Sequence, residues 1–325
     1  MSGLFATARD TLARAIDELD ASGLPSAQLV AIARELDARS AVGEPDDADA
    51  PYFIPNDLAQ CTRRSVLNCS HIDRPLDLPA GFSIEASAVR PHAFAKPYYI
   101  DPEQGIRRCK GLAAATSYAP RHAWEFDLAF VGDRGKLPDP DLRVETASTR
   151  AVFLPLLESF VAQHPALRAW IRIYDGFFFR AARSDEERRQ MNETNRYIDS
   201  IAHSRFVICP RGGGASSIRF FETLAVTNVP VYVGDRVTRM PLDWLIDWDR
   251  AAYRIACEDL LDGAWHQRLA DILAVTDDEV NRRRRYIFDV YHQFLAPERK
   301  PVFEQLVRVR AYDALHGRTP DLAPA

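Results

Sequence analysis

Between Arg205 and Asp235 the chain reads RFVICPRGGGASSIRFFETLAVTNVPVYVGD, a set of residue types suited to holding an anion. Phe206-Val207-Ile208-Cys209 is a short apolar run ended by Pro210, and Gly212-Gly213-Gly214 lets successive backbone N–H groups point at one place. Ser216 and Ser217 then open a helix, whose first turn carries unpaired N–H groups and partial positive charge. Val229 to Val233 is a second apolar, β-branched run, closed by Gly234-Asp235. The segment predicts strand, glycine-rich turn, helix and parallel strand, joined by a right-handed crossover with a phosphate-type site at the turn.

Within the helix, Ile218, Phe221, Leu224 and Ala225 recur at core spacing, which predicts that Arg219 and Glu222, three apart, share a face left open. On a solvated surface such a pair contributes only about 0.2–0.5 kcal/mol. Facing a ligand, Arg211 or Arg219 would meet a diphosphate, and the Glu222 carboxylate would accept hydrogen bonds from ribose hydroxyls. Three glycines, two serines and two arginines converge on one helix start, which favours the ligand-facing arrangement. Gly212-x-Gly214 followed by Asp235 also partly mimics a dinucleotide-binding fingerprint, with Ser217 at the third glycine position and Pro210-Arg211 interrupting the turn. An NAD-dependent oxidoreductase is therefore a rival expectation.

The same residues carry a resemblance. Cys209-Pro210-Arg211-Gly212, Ser216-Ser217-Ile218-Arg219, Glu222-Thr223-Leu224 and Val229-Pro230-Val231, followed by Ile246-Asp247-Trp248, resemble the nucleotide-sugar-binding core of exostosin-like glycosyltransferases. Ile218 stands for an aromatic residue of that pattern and Thr223 for a small one. The resemblance spans about residues 124 to 258. It implies a GT-B-like α/β fold: two Rossmann-like domains, the C-terminal one holding the nucleotide sugar, here with a small irregular N-terminal domain. It further implies inverting transfer from a nucleoside-diphosphate sugar to a glycan or lipid-linked hydroxyl acceptor, with no cofactor and no metal. Arg211, Gly212, Ser216, Ser217, Arg219 and Glu222 become the expected donor-binding residues. A non-catalytic nucleotide-sugar or glycan binder is the alternative.

Three further constellations bear on that chemistry. Gly132-Asp133-Arg134-Gly135-Lys136 follows a strand that opens the second domain, at the edge where open α/β sheets bind ligands, and Arg134 or Lys136 would neutralise a leaving diphosphate. As a plain alternative it is a Gly/Asp-rich turn. Asn68-Cys69-Ser70-His71-Ile72-Asp73 places His71 and Asp73 on one side of an extended segment, and an inverting transferase needs one such base. Asp101 and Glu125 are secondary candidates for the same task. Asp139-Pro140-Asp141 and Asp247-Trp248-Asp249 spell Asp-x-Asp, which holds divalent cations on other sugar nucleotides, but turn and cap roles account for both.

The elements that must position these residues follow from the rest of the chain. Its 325 residues, 47% hydrophobic, suffice for two α/β domains, and 41 basic against 46 acidic residues give no nucleic-acid-coating character. Cys61, Cys69, Cys109, Cys209 and Cys257 are odd in number and contain no CxxC, which predicts reduced thiols in a cytoplasmic protein. No run is apolar enough to span a bilayer and no signal peptide is expected; Arg282 to Arg285 leaves peripheral membrane association among the expected contacts. The domain expectation is a helical extension over 1–45, a small acceptor-side domain over 46–123, the nucleotide-sugar domain over 124–297 and a C-terminal helix and tail over 298–325. Strands are expected at 65–68, 82–84, 98–100, 126–131, 169–174 and 253–256. Helices are expected at 149–163, 185–204, 259–275, 277–295 and 301–315, after two near the start between 3 and 39.

Overall fold

The computed structural model of the chain describes residues 3–41, 67–69, 82–85, 93–95, 97, 112–135, 149–174, 184–212 and 217–315. They fall into two compact units. One comprises residues 1–99, 239–248 and 289–325, the other residues 100–238 and 249–288.

In the first unit, α1 (Leu4–Ala21) buries Phe5, Ala8, Leu12, Ala15 and Leu19 along one stripe, and α2 (Ala27–Ala41) buries Leu29, Ile32 and Leu36. Three short strands, β1 (Leu67–Cys69), β2 (Phe82–Glu85) and β3 (Ala93–Ala95), form a parallel sheet in chain order. The expected strand at 98–100 lies outside the described residues, and β3 had no sequence signal. The C-terminal helix of this unit, Lys300–Leu315, packs against α1, with Phe5 edge-on to Tyr312 at 5.4 Å and Arg39 paired to Asp313. Gln293 Oε1 accepts from the N–H groups of Gln28 at 2.8 Å and Leu29 at 3.3 Å, filling the capping role that Ser26 leaves open by donating its hydroxyl to Asp20.

The second unit is a mixed α/β structure around a five-stranded parallel sheet of Rossmann-like kind. Its strands are β4 (Phe126–Asp133), β5 (Ala169–Tyr174), β6 (Ser204–Pro210), β7 (Val229–Gly234) and β8 (Tyr253–Ala256), in the order β5-β4-β6-β7-β8. Phe206 to Cys209 and Val229 to Val233 are buried on both faces, which explains why they read as unbroken apolar runs rather than alternating ones. Phe206 pairs with Val229 and Pro210 with Val233, in the expected parallel register. The connecting helices are α3 (Thr149–Gln163), α4 (Asp185–Asn195), α5 (Tyr197–Ala202) and α6 (Ile218–Ala225). After β8 come α8 (Cys257–Asp262) and α9 (Ala264–Ala274), with α7 (Trp248–Ala251) before it.

Three helices expected as continuous are broken, each for a local reason. The 185–204 segment splits at Arg196, whose φ of 51° ends one helix and starts the next, while its guanidinium is held by both oxygens of Glu125. The 259–275 segment splits at Gly263, with φ of 81°, a conformation open to glycine without strain. The 277–295 segment runs as α10 (Asp277–Val290) and then widens into a π-helical turn, Tyr291–Leu295.

Half of the basic run inside α10 is absorbed by the fold. Arg284 is buried and donates to the carbonyls of Thr227 at 2.9 Å and Ala119 at 3.2 Å, and burial, with Arg121 nearby, lowers its pKa to about 10. Arg283 bonds Glu279 and the Asp249 carbonyl, whereas Arg282, paired to Glu279, and Arg285 are exposed.

Candidate active site

The strand order itself marks a crevice. β4 stands between β5 and β6, so the chain leaves β4 toward one edge of the sheet and leaves β6 toward the other. Where crossovers diverge in this way, a groove opens outside the carboxyl ends of the two strands, and open α/β sheets bind their ligands there. The ends concerned are Gly132-Asp133 of β4 and Cys209-Pro210 of β6.

Arg219, in the first turn of α6, reaches across to β4. Its Nη2 donates to the Val131 carbonyl, and the guanidinium lies 4.5 Å from the Phe130 ring centroid and 5.6 Å from that of Tyr197. Among the described residues, its Nε and Nη1 are buried without a hydrogen-bond partner. A Cβ on Gly132 would come within 2.7 Å of Nη2, so glycine is required for the guanidinium to lie against the strand. Among the described residues no carboxylate pairs with Arg219.

The open face expected for Arg219 and Glu222 is not open. Arg219 is 7% exposed and Glu222 1%, whereas Ile218, expected in the core, is 42% exposed. The reason is that α6 is a short helix flanked on several sides by β6, β7 and α5, so helical period no longer separates an inside from an outside. Glu222 accepts a short hydrogen bond from the Tyr197 hydroxyl.

Ser217 is the N-cap of α6 by its backbone, φ −134° and ψ 118°, yet its hydroxyl makes no cap bond and is buried without a partner. Arg211 continues the β6–β7 ladder through its N–H to the Val233 carbonyl at 2.9 Å, and its side chain is ion-paired with Asp235. Asp235, the acid of the rival dinucleotide fingerprint, is thus held by Arg211. Gly212 follows at the end of the described turn; Gly213, Gly214 and Ser216 lie outside the described residues. So do His71, Asp73, Asp101, Lys136, Asp139 and Asp141.

Arg134 is an exposed residue past the end of β4, its N–H on the Tyr174 carbonyl at 2.8 Å. Glu125, a secondary candidate for a base, precedes β4 and so belongs to the opposite, amino edge of the sheet. The hydrogen bonds from Arg196 hold its carboxyl below the usual range, which suits an ion pair rather than proton abstraction. Among the described residues, no three His, Cys, Asp or Glu side chains group so as to hold a metal ion, and no helix is long and apolar enough to cross a membrane.

One member of the site had no sequence signal. Arg150, at the start of α3, donates through Nη1 to Asp133 Oδ2 at 2.8 Å, while Asp133 Oδ1 accepts from the Gly135 N–H at 2.9 Å. An arginine beside a threonine after a polar loop is unremarkable as sequence; only the β4–α3 connection brings it to the crevice. Cys209 is the next-to-last residue of β6, and burial pushes its thiol up to about 12. A thiol so placed stays protonated and is no nucleophile. Native protein treated with iodoacetamide at pH 8 should therefore show no carbamidomethyl group on the Cys209 peptide, and full labelling in denaturant. Labelling in the native state would place Cys209 in an open site.

Residues 171–270 match the family model of the Exostosin GT47 domain. This part of the chain is similar to the exostosin-like glycosyltransferase family. A relative described as Exostosin-1 homolog, from Caenorhabditis elegans, is 32% identical over 113 residues, 33% of this chain and 28% of the relative. The chain thus matches little more than a quarter of that relative's length. The exostosin-like span includes β6, the glycine-rich turn, α6 and β7, and so the β6 side of the crevice with Arg219, while β4 lies outside it.

Proposed function

We propose that the chain is a glycosyltransferase that moves a sugar from a nucleoside-diphosphate donor to a hydroxyl of a glycan or lipid-linked acceptor. The observation that carries the proposal is the buried Arg219 guanidinium, with two N–H-bearing nitrogens unpartnered among the described residues, at a crevice whose β6 side lies in the exostosin-like match. A diphosphate accepts from such a fork, and a cation fixed in a site poor in water favours charge that grows on a departing phosphate. Arg211 is already offset by Asp235, which makes Arg219 the first cation of this reading. Tyr197 fixes the Glu222 carboxylate that the reading assigns to the ribose hydroxyls.

In this scheme the acceptor oxygen attacks the anomeric carbon from the face opposite the diphosphate. The new C–O bond forms as the bond to the diphosphate breaks, the configuration inverts, and a base takes the hydroxyl proton. His71 or Asp73, from the 46–123 acceptor-side domain, is the proposed base, within a GT-B arrangement that needs no metal. A cytoplasmic location, with peripheral contact at the membrane's inner face, belongs to the same proposal.

The test is thermal unfolding of the purified protein with UDP, GDP, CDP, dTDP, CMP and NAD(H), with and without Mg²⁺. A ligand binding only the folded state raises the midpoint by mass action, about 2.7 kcal/mol at a hundred times its Kd. The expected result is a shift with one nucleoside diphosphate, independent of Mg²⁺ and lost in Glu222→Ala measured against its own baseline. A shift with NAD(H) alone would replace the proposal with an oxidoreductase, and donor binding without sugar transfer to any acceptor would leave a non-catalytic binder.

A further inference from the structure

We propose that Arg150 is the second cation of the donor diphosphate subsite, facing Arg219 over the carboxyl end of β4; this rests on the donor-site reading above and deepens it. Both guanidiniums are anchored on three consecutive positions of one strand. Arg219 Nη2 is on the Val131 carbonyl, Gly132 leaves the space beside it, and Arg150 Nη1 is on the Asp133 carboxylate at 2.8 Å. Asp133 is itself steadied by the Gly135 N–H, so it orients Arg150 rather than following it.

Among the described residues, the donors brought together here outnumber their acceptors. Arg150 is paired with Asp133, and Glu222 accepts from the Tyr197 hydroxyl. Among the described residues, Arg150 Nε, Arg219 Nε, Arg219 Nη1 and the Ser217 hydroxyl are all buried with no hydrogen-bond partner. Buried polar groups are nearly always satisfied, so four such atoms around two helix starts point to a ligand that supplies acceptors. Burial first, and the like charge of Arg219 second, lower the Arg150 pKa, and an anion set between the two guanidiniums relieves both effects. A diphosphate carries enough oxygens to serve both forks at once; a monophosphate serves one well. Arg150 lies before residue 171, outside the family match, so nothing in that likeness assigns it a role.

The experiment uses inorganic pyrophosphate, whose binding does not depend on which nucleobase the donor carries. Calorimetry compares pyrophosphate with inorganic phosphate on the full chain, on Arg150→Gln, Arg150→Lys and Arg219→Gln, and on Arg9→Gln as a surface control in the first unit; circular dichroism checks each fold. The expected result is that Arg150→Gln weakens pyrophosphate by about tenfold or more and phosphate by much less. Arg150→Lys keeps the pair with Asp133 and should fall between Arg150→Gln and the unaltered chain; if Arg150→Gln fails to fold, this variant decides alone. Pyrophosphate affinity unchanged by both Arg150 variants but lost in Arg219→Gln overturns the role of Arg150 and leaves the donor site standing. No binding of pyrophosphate or of any nucleoside diphosphate by the unaltered chain overturns the donor-site reading and this inference together.

Discussion

Arg219→Ala is expected to lower kcat/KM for sugar transfer by about 30- to 1,000-fold, a loss of roughly 2–4 kcal/mol of transition-state stabilisation. The side chain makes one hydrogen bond, to the Val131 carbonyl, and lies against Phe130 and Tyr197 with its other nitrogens unpartnered. If its task were only to fill that space, alanine would cost stability and leave the turnover of folded protein alone. Gly132→Ala separates the two effects, because it keeps the arginine and moves it. The added methyl would meet Arg219 Nη2 at 2.7 Å and Phe130 Cζ at 3.2 Å, so the guanidinium must shift off the strand. Displacement of this size from a preorganised position is costly, and Gly132→Ala should lose about tenfold in kcat/KM, with nucleotide binding weakened alongside. The check is steady-state kinetics on both variants with the donor nucleotide identified by thermal shift. Turnover unchanged in both would remove Arg219 from the reaction.

The sheet was legible in the sequence because its central strands are buried on both faces, and such strands read as apolar runs bounded by Pro210 or Gly234. β5 and β8 followed from the α/β rhythm. The site was legible only in part, and the reason lies in α6. Spacing rules assume a helix with one apolar stripe, and α6 has Phe220, Phe221, Leu224 and Ala225 buried together with Arg219, Glu222 and Thr223. No period separates ligand from core when a helix is enclosed nearly all round. The charges on it were singled out by type, and the open face was wrongly assigned to them instead of to Ile218. Arg150 escaped for a different reason: its partner Asp133 is seventeen residues earlier, across a segment whose sequence says nothing of the approach. Arg196 and Gly263 show the same limit in the helices, since a left-handed residue inside a polar stretch leaves no mark on periodicity.

Asn228→Ala is expected to destabilise the protein by about 3 kcal/mol, enough to lower the unfolding midpoint by roughly 6–12 °C. Asn228 sits in the turn between α6 and β7, is 1% exposed, and satisfies three backbone groups at once. Its Nδ2 donates to the carbonyls of Ile201, in α5, and Ser204, the first residue of β6, each at 2.6 Å, and its Oδ1 accepts from the Val229 N–H at 3.0 Å. One side chain therefore ties the entry of β6 to the entry of β7 and fixes their register from the end opposite the crevice. That register sets Pro210 against Val233 and so brings Arg211 to the Val233 carbonyl and to Asp235. Asn228→Asp discriminates between polar bonding and mere occupancy, since it keeps the shape and the acceptor but turns the two donors into an oxygen facing two carbonyls. Thermal or denaturant unfolding should find Asn228→Asp at least as damaging as Asn228→Ala at pH 7. An aspartate tolerated there would mean that the hydrogen bonds do not hold the register, and that the apolar contacts of Phe206 to Cys209 with Val229 to Val233 are sufficient to align the strands that carry the site.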